Sequence, residues 1–178
     1  MSNYRTLKAY REERATYGKQ KFLALYPSPV LLTPDSQVAP KSAGPGSSGF
    51  YTKSVPDSTA PSDAVIRKSP LVVNDSFIVI PILKREGNPF PERIGVGRTK
   101  GTDITLADRE VSKYQGYFSA AGERWSFTDG GSSNGTFIRG ERLPQMVTTL
   151  IEDGNELGFG SGRYMFRTAE GFCDFLGR

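Results

Sequence analysis

From residue 76 onward, the chain alternates between short apolar runs and turn residues. The first run, SFIVIPILK at residues 76–84, is apolar on both faces of a strand apart from Pro81. A strand that is apolar on both faces suits the interior of a sandwich, and its proline indicates a place near an edge. The later runs are ERIGVG, DITLAD, KYQGYFSA, RWSFTD, GTFIRG, ERL, NELGFG and RYMFRT, separated by Gly, Asp, Asn or Pro. Many short strands at this spacing predict an all-β sandwich or barrel.

The end of the chain changes to a helical spacing. Phe172, Phe175 and Leu176 stand at positions i, i+3 and i+4 of the stretch AEGFCDFLGR. This spacing predicts a short helix that packs one face on the ends of the sheets. Cys173 lies between two phenylalanines, so we expect it to pack as a small apolar residue.

Residues 2–25 carry a sparse helical pattern. Leu7, Tyr10 and Arg14 or Ala15 recur at a spacing of three to four residues, with charged residues between them. Because this stripe is narrow, the helix either docks on the main domain or is only marginally stable. The three prolines of YPSPVLLTP then end the helix.

A change of composition separates this helix from the β region. Residues 34–75 are rich in Pro, Gly and Ser and are expected to form a linker, with Phe50 and Tyr51 as an anchor point on the domain. The expected organisation is an N-terminal helical and basic extension at 1–33, this linker, and a sandwich with its C-terminal helix at 76–178.

The formal charge of +4 is confined to the first part of the chain. Residues 1–75 hold ten Lys and Arg against six Asp and Glu, whereas residues 76–178 hold thirteen of each. A nucleic-acid reader is expected to carry a basic face on its folded domain, so the balanced charge of the sandwich argues against nucleic acid as a partner. The basic N-terminal helix could meet an acidic partner or a membrane surface, or it could dock on its own domain. No run approaches the roughly eighteen apolar residues of a membrane span, and the N-terminus lacks the apolar segment of a secretory signal.

The chain contains no histidine and a single cysteine, Cys173. The commonest general base is therefore missing, together with Ser-His and Cys-His nucleophile pairs and nearly every familiar zinc site. We expect a protein that is not an enzyme and that needs no metal or other cofactor. One cysteine cannot form an internal disulfide, which fits a reducing compartment and predicts a cytoplasmic location.

Three turns of the β region carry unusual chemistry. They are VGRTKGTD with Arg98, REVSKYQ with Ser112 and Lys113, and DGGSSNGT with Ser132, Ser133 and Asn134. Each has an ordinary explanation alone: a solvated cation, a polar strand start, and the commonest two-residue hairpin turn. Together, the arginine fork, the ammonium, the hydroxyls and the amide form the donor set that an oxyanion such as phosphate requires. The sequence therefore indicates a phosphate site.

The order of these motifs resembles that of the forkhead-associated (FHA) domain family. The family pattern is Gly-Arg, Asn-Asp-Ile/Val, Val-Ser-Arg-x-His, a strand with Trp or Tyr, and Ser-x-Asn-Gly-Thr followed by Gly. The matching segments are GR at 97–98, TDI at 102–104, VSKYQ at 111–115, WSFTD at 125–129, SSNGTFIRGERL at 132–143 and DGNELGFG at 153–160. The resemblance covers roughly residues 76–168. It implies an eleven-stranded β-sandwich whose loops at one end bind phosphothreonine peptides.

Carried over position by position, the resemblance assigns the phosphopeptide-binding side chains. Arg98 and Ser112 are implied to contact the phosphate, and Lys113 and Ser133 to reach it from neighbouring positions. Asn134 matches the residue that holds the main chain of the ligand beside the phosphothreonine. Roles in turns or in support of the loops are implied for Gly97, Gln115, Gly135 and Gly140.

Two positions depart from the family pattern. Gln115 replaces the histidine whose ring, in the family, braces the loops beneath the pocket without holding the phosphate. A glutamine amide can donate and accept hydrogen bonds but has a longer stem, so we expect a less preorganised pocket at a cost of about 1 kcal/mol, one ordinary hydrogen bond. Thr102 stands where Asn is usual and caps its turn more weakly. Neither change removes a phosphate ligand.

The leading hypothesis is a phosphothreonine-dependent interaction module, an adaptor in Ser/Thr kinase signalling whose partner is a phosphothreonine-containing protein. The alternative is a phospho-independent structural or assembly module on the same sandwich, for which Arg98 and Asn134 would be dispensable. A third idea is self-recognition, in which a phosphorylated threonine of the N-terminal segment occupies the pocket. The candidate threonines are Thr16, Thr33, Thr52 and Thr59.

Overall fold

The computed structural model describes residues 4–34 and 70–178, which form two β-sheets and two helices. The helices are α1 (Leu7–Leu25) and α2 (Ala169–Leu176). The strands are β1 (Arg5–Thr6), β2 (Val30–Thr33), β3 (Ile78–Pro81), β4 (Ile94–Gly97), β5 (Ile104–Thr105), β6 (Gly116–Ala121), β7 (Arg124–Asp129), β8 (Thr136–Ile138), β9 (Glu141–Arg142), β10 (Thr148–Ile151), β11 (Glu156–Phe159) and β12 (Gly162–Arg167). These two ranges thus contain twelve strands, where the resemblance implies eleven.

The strands divide into a first sheet of seven and a second sheet of five. The first sheet has the order β1-β3-β2-β12-β11-β8-β9, and the second has the order β10-β7-β6-β4-β5. Neighbouring strands are antiparallel except β4 and β5, which pair in parallel. The predicted fold class, an all-β sandwich with an N-terminal helix and a short C-terminal helix, is confirmed.

Aromatic side chains from both sheets meet in the sandwich core. Phe118 and Phe127 of the second sheet pack edge to face with ring centroids 4.9 Å apart. From the first sheet, Phe166 stacks on Phe118 at 6.3 Å and Phe159 contacts Phe127 at 5.1 Å. All four rings are fully buried. Because aromatic side chains bury the largest areas, this cluster holds the two sheets together.

The outer face of the first sheet is covered by the helices. Along β2, Leu31 belongs to the sandwich core, whereas Val30 and Leu32 belong to a second apolar cluster formed with α1 and α2. The adjacent β3 alternates in the same way, with Ile80 in the sandwich and Val79 under the helices. The run SFIVIPILK is therefore apolar on both faces because both faces are covered, as the sequence predicts.

The described N-terminal residues belong to this architecture. The sequence predicts a helix over 2–25 in an extension outside the sandwich; in the structure, Arg5–Thr6 form a short strand and α1 begins at Leu7. Leu7 and Phe22 are fully buried in the second apolar cluster, so the helix docks on the domain. Val30–Thr33 then forms a strand inside the first sheet, between β3 and β12. The sequence does not reveal this strand because three apolar residues and a threonine between two prolines are too short a run to show a period.

Basic side chains of α1 hold the C-terminal helix. Arg14 Nε donates a hydrogen bond to the carbonyl oxygen of Cys173 at 3.3 Å, and Arg11 Nη1 donates to that of Leu176 at 3.0 Å. Cations are stabilising at the C-terminal end of a helix, where carbonyl groups lack helical partners. The sequence leaves three roles open for the basic helix: an acidic partner, a membrane surface, or its own domain. These contacts serve docking on its own domain.

The predicted C-terminal helix is present as α2, but it packs on a different surface than expected. The Thr168 hydroxyl caps its N-terminus by accepting a hydrogen bond from a first-turn backbone N–H at 3.0 Å. Phe172, Cys173 and Leu176 are buried in the cluster with α1, and not on the ends of the sheets. The Phe172 ring lies 5.6 Å from that of Tyr10. The apolar packing predicted for Cys173 is confirmed by its complete burial.

Strand β10 has no counterpart among the predicted strands. Thr148–Ile151 lies at the edge of the second sheet, and only Ile151 of its four residues is buried. A mostly exposed edge strand lacks the apolar alternation by which the other strands are found in the sequence.

Several expectations concern residues beyond the described ranges. Most of the predicted linker, with Phe50 and Tyr51, lies outside them, as do Thr52 and Thr59. Of the other two candidate threonines, Thr33 is buried in β2, and the exposed Thr16 hydroxyl donates to the carbonyl oxygen of Glu12 at 2.8 Å. No helix within residues 4–34 and 70–178 is long and apolar enough to cross a membrane.

Candidate functional site

Three loops meet at one end of the sandwich. The first leaves β4 at Arg98, the second is the segment 108–115 before β6, and the third is the segment 130–135 between β7 and β8. Arg98 N donates to Ser112 O at 2.9 Å, and Ser133 N donates to Ser112 Oγ at 2.9 Å. The second loop therefore lies between the other two and is hydrogen-bonded to both.

Arg98 begins the first loop with its side chain exposed. The preceding residue must be glycine because a Cβ on Gly97 would collide with the carbonyl oxygen of Lys113. Arg98 Nε donates to Val111 O at 3.2 Å. Among the described residues, its Nη1 and Nη2 have no hydrogen-bond partner and its guanidinium has no carboxylate partner. One bond thus orients the guanidinium and leaves a fork of donors for a ligand.

Lys113 and Ser133 add exposed donors on either side of Ser112. The backbone of Lys113 is fixed to the first loop, since its carbonyl oxygen accepts a hydrogen bond from Thr99 Oγ1 at 3.0 Å. In the part of the chain that the structure describes, Lys113 Nζ and Ser133 Oγ have no partner. Ser112 Oγ accepts from Ser133 N, so the hydroxyl proton of Ser112 is available to an anion.

Asn134 ties the third loop to the second. Its Nδ2 donates to Glu110 O at 2.8 Å, and the exposed amide keeps its oxygen and one proton for other partners. Gly135 follows with φ of 84°, as does Gly140 at the next turn, a backbone conformation that favours glycine. The three loops that carry the five predicted ligand-binding residues thus come together at one end of the sandwich.

Gln115 lies beneath these loops and is fully buried. Its Oε1 accepts from Ser112 N at 3.0 Å, while Nε2 donates to Gly135 O at 2.9 Å and to Thr136 Oγ1 at 3.0 Å. Each polar atom of the amide is therefore paired, and the side chain connects the second loop to the third. From the sequence, we expect the long side chain of Gln115 to make the pocket less preorganised. In the structure, burial and three hydrogen bonds fix this side chain in place.

Asp129 is a support that the sequence reasoning did not single out. Its carboxylate is fully buried at the end of β7. Oδ1 accepts from the backbone N–H groups of Gly131 and Ser132 at 2.9 and 2.8 Å, and Oδ2 accepts from the hydroxyls of Ser132 and Thr136 at 2.5 and 2.6 Å. The sequence does contain a sign of this role, because Asp129 stands directly before Gly-Gly-Ser. In turns of this composition, an Asp carboxylate commonly accepts hydrogen bonds from the backbone N–H groups that follow it.

These hydrogen bonds decide the charge of Asp129. Burial raises the pKa of the carboxyl, but the hydrogen bonds from Ser132, Thr136 and Gly131 outweigh burial and bring the pKa below its ordinary value. Asp129 is therefore ionised at neutral pH and fixes the third loop. Ser132, which the sequence groups with the exposed serine beside it, is turned inward and bonded to this carboxylate.

Thr102 holds the turn of the first loop from within. Its buried hydroxyl lies 2.8 Å from Thr99 O, 2.9 Å from Ile104 O and 3.4 Å from Gly97 O. One hydroxyl proton serves one of these carbonyl groups at a time, so Thr102 closes the turn as an ordinary single donor.

The side chains at this end suit an anion and not a cation. Within the described ranges, no group of three or more His, Cys, Asp or Glu side chains could hold a metal ion. The loops that meet there carry four exposed groups, which are a guanidinium, an ammonium, a hydroxyl and an amide, together with the half-buried hydroxyl of Ser112. Such groups donate hydrogen bonds and bind phosphate or carboxylate.

Comparison with protein families matches residues 94–160 to the FHA domain. The matched segment runs from β4 to β11 and contains all five predicted ligand-binding residues. No curated protein matches the chain.

Solved structures resemble part of this chain. Mycobacterium tuberculosis EmbR in complex with a low-affinity phosphopeptide is 23% identical, with a TM-score of 0.41, and the match covers 43% of this chain and 20% of EmbR. The FHA domain of an Arabidopsis thaliana hypothetical protein is 26% identical, with a TM-score of 0.41, over 44% of this chain and 70% of that one. The MEK1 FHA domain in complex with the HOP1 pThr318 peptide is 23% identical, with a TM-score of 0.42, over 51% of this chain and 87% of that one. The family assignment rests on the match of residues 94–160.

Proposed function

Residues 94–160 of this chain belong to the FHA domain family, and from that premise we propose that the protein binds partners through a phosphothreonine. The observation that carries the proposal is the convergence of the three loops on Ser112. Arg98 and Ser133 are hydrogen-bonded to that residue, and Asn134 is bonded to the same loop. The donors that point outward have no partner among the described residues, so a ligand can use them.

Each residue has a distinct task in this proposal. A phosphothreonine carries a charge of about −1.5 to −2 at neutral pH and three acceptor oxygens. The Arg98 fork binds two of these oxygens, Ser112 donates one hydrogen bond, and Lys113 and Ser133 complete the shell. Each hydrogen bond to such a charged group contributes about 1.5–3 kcal/mol. Asn134 holds the backbone of the ligand by donating and accepting one hydrogen bond each.

The loops are held in place before the ligand arrives. Gln115 connects the second and third loops, and Asp129 fixes the third loop through four hydrogen bonds. Ordering a loop on binding subtracts from affinity, so a site that is already ordered binds more tightly. These buried contacts therefore support a preformed phosphate site and not one assembled around its ligand.

We further propose that the module is a non-catalytic adaptor whose partner has been phosphorylated by a Ser/Thr kinase. No cofactor enters this function, because binding needs only the donors described. The balanced charge of residues 76–178 favours a protein partner over nucleic acid. The cytoplasmic location stays a prediction from the cysteine content.

The proposal is tested by fluorescence anisotropy with an oriented library of phosphothreonine peptides and its unphosphorylated counterpart. We expect binding of the phosphorylated peptides only, and a loss of at least tenfold in affinity for Arg98→Ala, which removes a charged hydrogen-bond donor. Arg124→Ala is the matched control, because Arg124 is an exposed arginine at the opposite end of β7. A phosphoserine arm measures whether the threonine methyl group contributes.

Two results would reject the proposal. One is equal affinity for phosphorylated and unphosphorylated peptides, and the other is phosphopeptide binding that Arg98→Ala leaves unchanged. Either result would favour the phospho-independent assembly module on the same sandwich.

A further inference from the structure

Arg142 lies against the turn that carries Asn134. It stands in β9, opposite Phe137 of β8. A Cβ built on Gly135 would lie 2.6 Å from Arg142 Nε and 3.1 Å from its Cζ and Nη2. The guanidinium therefore covers the glycine side of this turn, next to the residue proposed to hold the ligand backbone.

The charge of Arg142 has no partner in the described part of the chain. Its side chain is exposed, and no hydrogen bond, ion pair or ring contact involves it there. Arg163, in the same sheet, is different: it forms an ion pair with Glu156 at 2.5 Å. Glu141, the sequence neighbour of Arg142, forms no ion pair with it. An exposed guanidinium that is positioned but unpaired beside a binding site is free to bind a ligand group.

Short chains of contacts connect both Arg98 and Arg142 to Asn134. Arg98 is bonded to Val111 O, Asn134 is bonded to the neighbouring Glu110 O, and Arg142 lies against Gly135, the residue after Asn134. A peptide with its phosphate at Arg98 and its backbone at Asn134 therefore passes near Arg142. An extended chain advances about 3.3 Å per residue, so the four residues on either side of the phosphothreonine extend about 13 Å from it and are the positions to test.

We propose that Arg142 binds a second anionic side chain of the partner, and thereby selects phosphothreonine sites that have one nearby. This inference rests on the proposed phosphate site at Arg98. The planar fork of a guanidinium pairs equally with a carboxylate and with a phosphate, so the second group is an Asp or Glu side chain or a second phosphorylated residue.

The test uses a phosphothreonine peptide with neutral flanking residues. Asp and, for comparison, Asn are placed in turn at each of the four positions on either side of the phosphothreonine. At one or two positions we expect Asp to bind about two- to fivefold more tightly than Asn at low salt, the range of an exposed ion pair. A phosphoserine at the same position distinguishes the sources: a larger gain than with Asp identifies a second phosphate, and an equal gain identifies a carboxylate.

Arg142→Gln must remove this preference selectively. The variant is expected to bind the Asp and Asn peptides equally, while its affinity for the neutral phosphothreonine peptide changes less than twofold. Arg124→Gln, with the same change of charge at the far end of β7, retains the preference. Thermal unfolding of each variant checks that the fold is intact.

Three results would overturn the inference while phosphothreonine binding stands. They are no preference for Asp at any position, a preference that survives Arg142→Gln, and an equal loss of affinity for all peptides, which would mean that Arg142 only supports the turn. If no phosphothreonine peptide binds the wild-type protein, the proposed function fails and this inference fails with it.

Discussion

Basic side chains have different partners in two regions of the protein. One is the helical layer, formed by α1, α2 and the side chains that contact them, and the other is the loop end of the sandwich, formed by the three loops that meet at Ser112. In the helical layer, Arg5 pairs with Glu13 at 2.6 Å, and Arg14 donates to the end of α2. At the loop end, the terminal nitrogens of Arg98 and the ammonium of Lys113 have no partner within the described ranges. The first set of cations holds the protein together, and the second set is left for a ligand.

This difference teaches that pairing locates an anion site better than net charge does. The whole formal charge of +4 belongs to residues 1–75, while residues 76–178 are balanced. By count alone, the N-terminal segment is the basic surface. Contacts give a different picture for α1, because Arg11, Arg14 and Lys19 bond or pair with carbonyl groups and carboxylates of their own domain.

The largest expected effect is a loss of stability, caused by Phe22→Ala, that leaves phosphothreonine binding by the folded protein unchanged. Phe22 is fully buried between α1, α2 and the first sheet. Phe22→Ala is expected to lower the free energy of unfolding by about 3–5 kcal/mol through lost burial and the cavity left behind. Urea unfolding measures this, and the folded fraction should bind phosphothreonine peptide as before. A loss of binding in the folded protein would show that the helical layer takes part in recognition.

Gln115→Ala is expected to lower both the stability of the protein and its affinity for phosphothreonine peptide. It leaves Gly135 O, Thr136 Oγ1 and Ser112 N without their buried partner, which costs about 1–3 kcal/mol of stability. Affinity for phosphothreonine peptide should fall as well, because the second and third loops lose their connection. The control is Gln20→Ala, on the exposed face of α1, for which a change within about 0.5 kcal/mol is expected. Unfolding and binding curves that match wild type would contradict the bracing role.

The pH dependence of stability tests Asp129. The pKa of this carboxyl is lowered on folding, so its contribution is present above the ordinary Asp value of about 3.9 and is lost as the pH falls through the lower, folded value. Between neutral pH and the acid limit of folding, the free energy of unfolding of the wild type should fall more steeply than that of Asp129→Asn. Parallel curves for the two proteins would mean that Asp129 is not held ionised by its hydrogen bonds.

The smallest expected effect is that of Lys113. Its ammonium is exposed and flexible, so Lys113→Gln should weaken phosphothreonine binding by no more than about 1 kcal/mol and leave stability unchanged. The loss should shrink as salt is raised, since exposed charges are screened. A loss as large as that of Arg98→Ala would require a direct contact stronger than a surface charge supplies.

The predictable parts of this protein are those set by local sequence. Alternating runs predict most strands of the two sheets. Glycine is also required at Gly97, where the carbonyl oxygen of Lys113 leaves no room for a Cβ, and favoured at Gly135, where φ is positive. Because the loops follow from these strands, the motif order predicts that Arg98, Ser112 and Asn134 lie at the same end. Phosphate binding by these residues stays a prediction until it is measured.

The parts that the sequence did not reveal depend on contacts between distant residues. Val30–Thr33 forms a strand because its backbone pairs with β3 on one side and β12 on the other. Asp129 reads as an ordinary turn residue until four donors converge on it, and Arg142 reads as a solvated cation until Gly135 is seen beneath it. Spacing along the chain does not encode such convergence.

The central claim is that the loop end, and not the helical layer, binds the phosphate. Backbone amide chemical shifts, followed by NMR during titration with a phosphothreonine peptide, test it most directly. We expect the largest shifts at Arg98, Ser112 and Ser133, no change along α1, and no response to the unphosphorylated peptide. Shifts that concentrate on α1, or that appear equally with the unphosphorylated peptide, would contradict the claim.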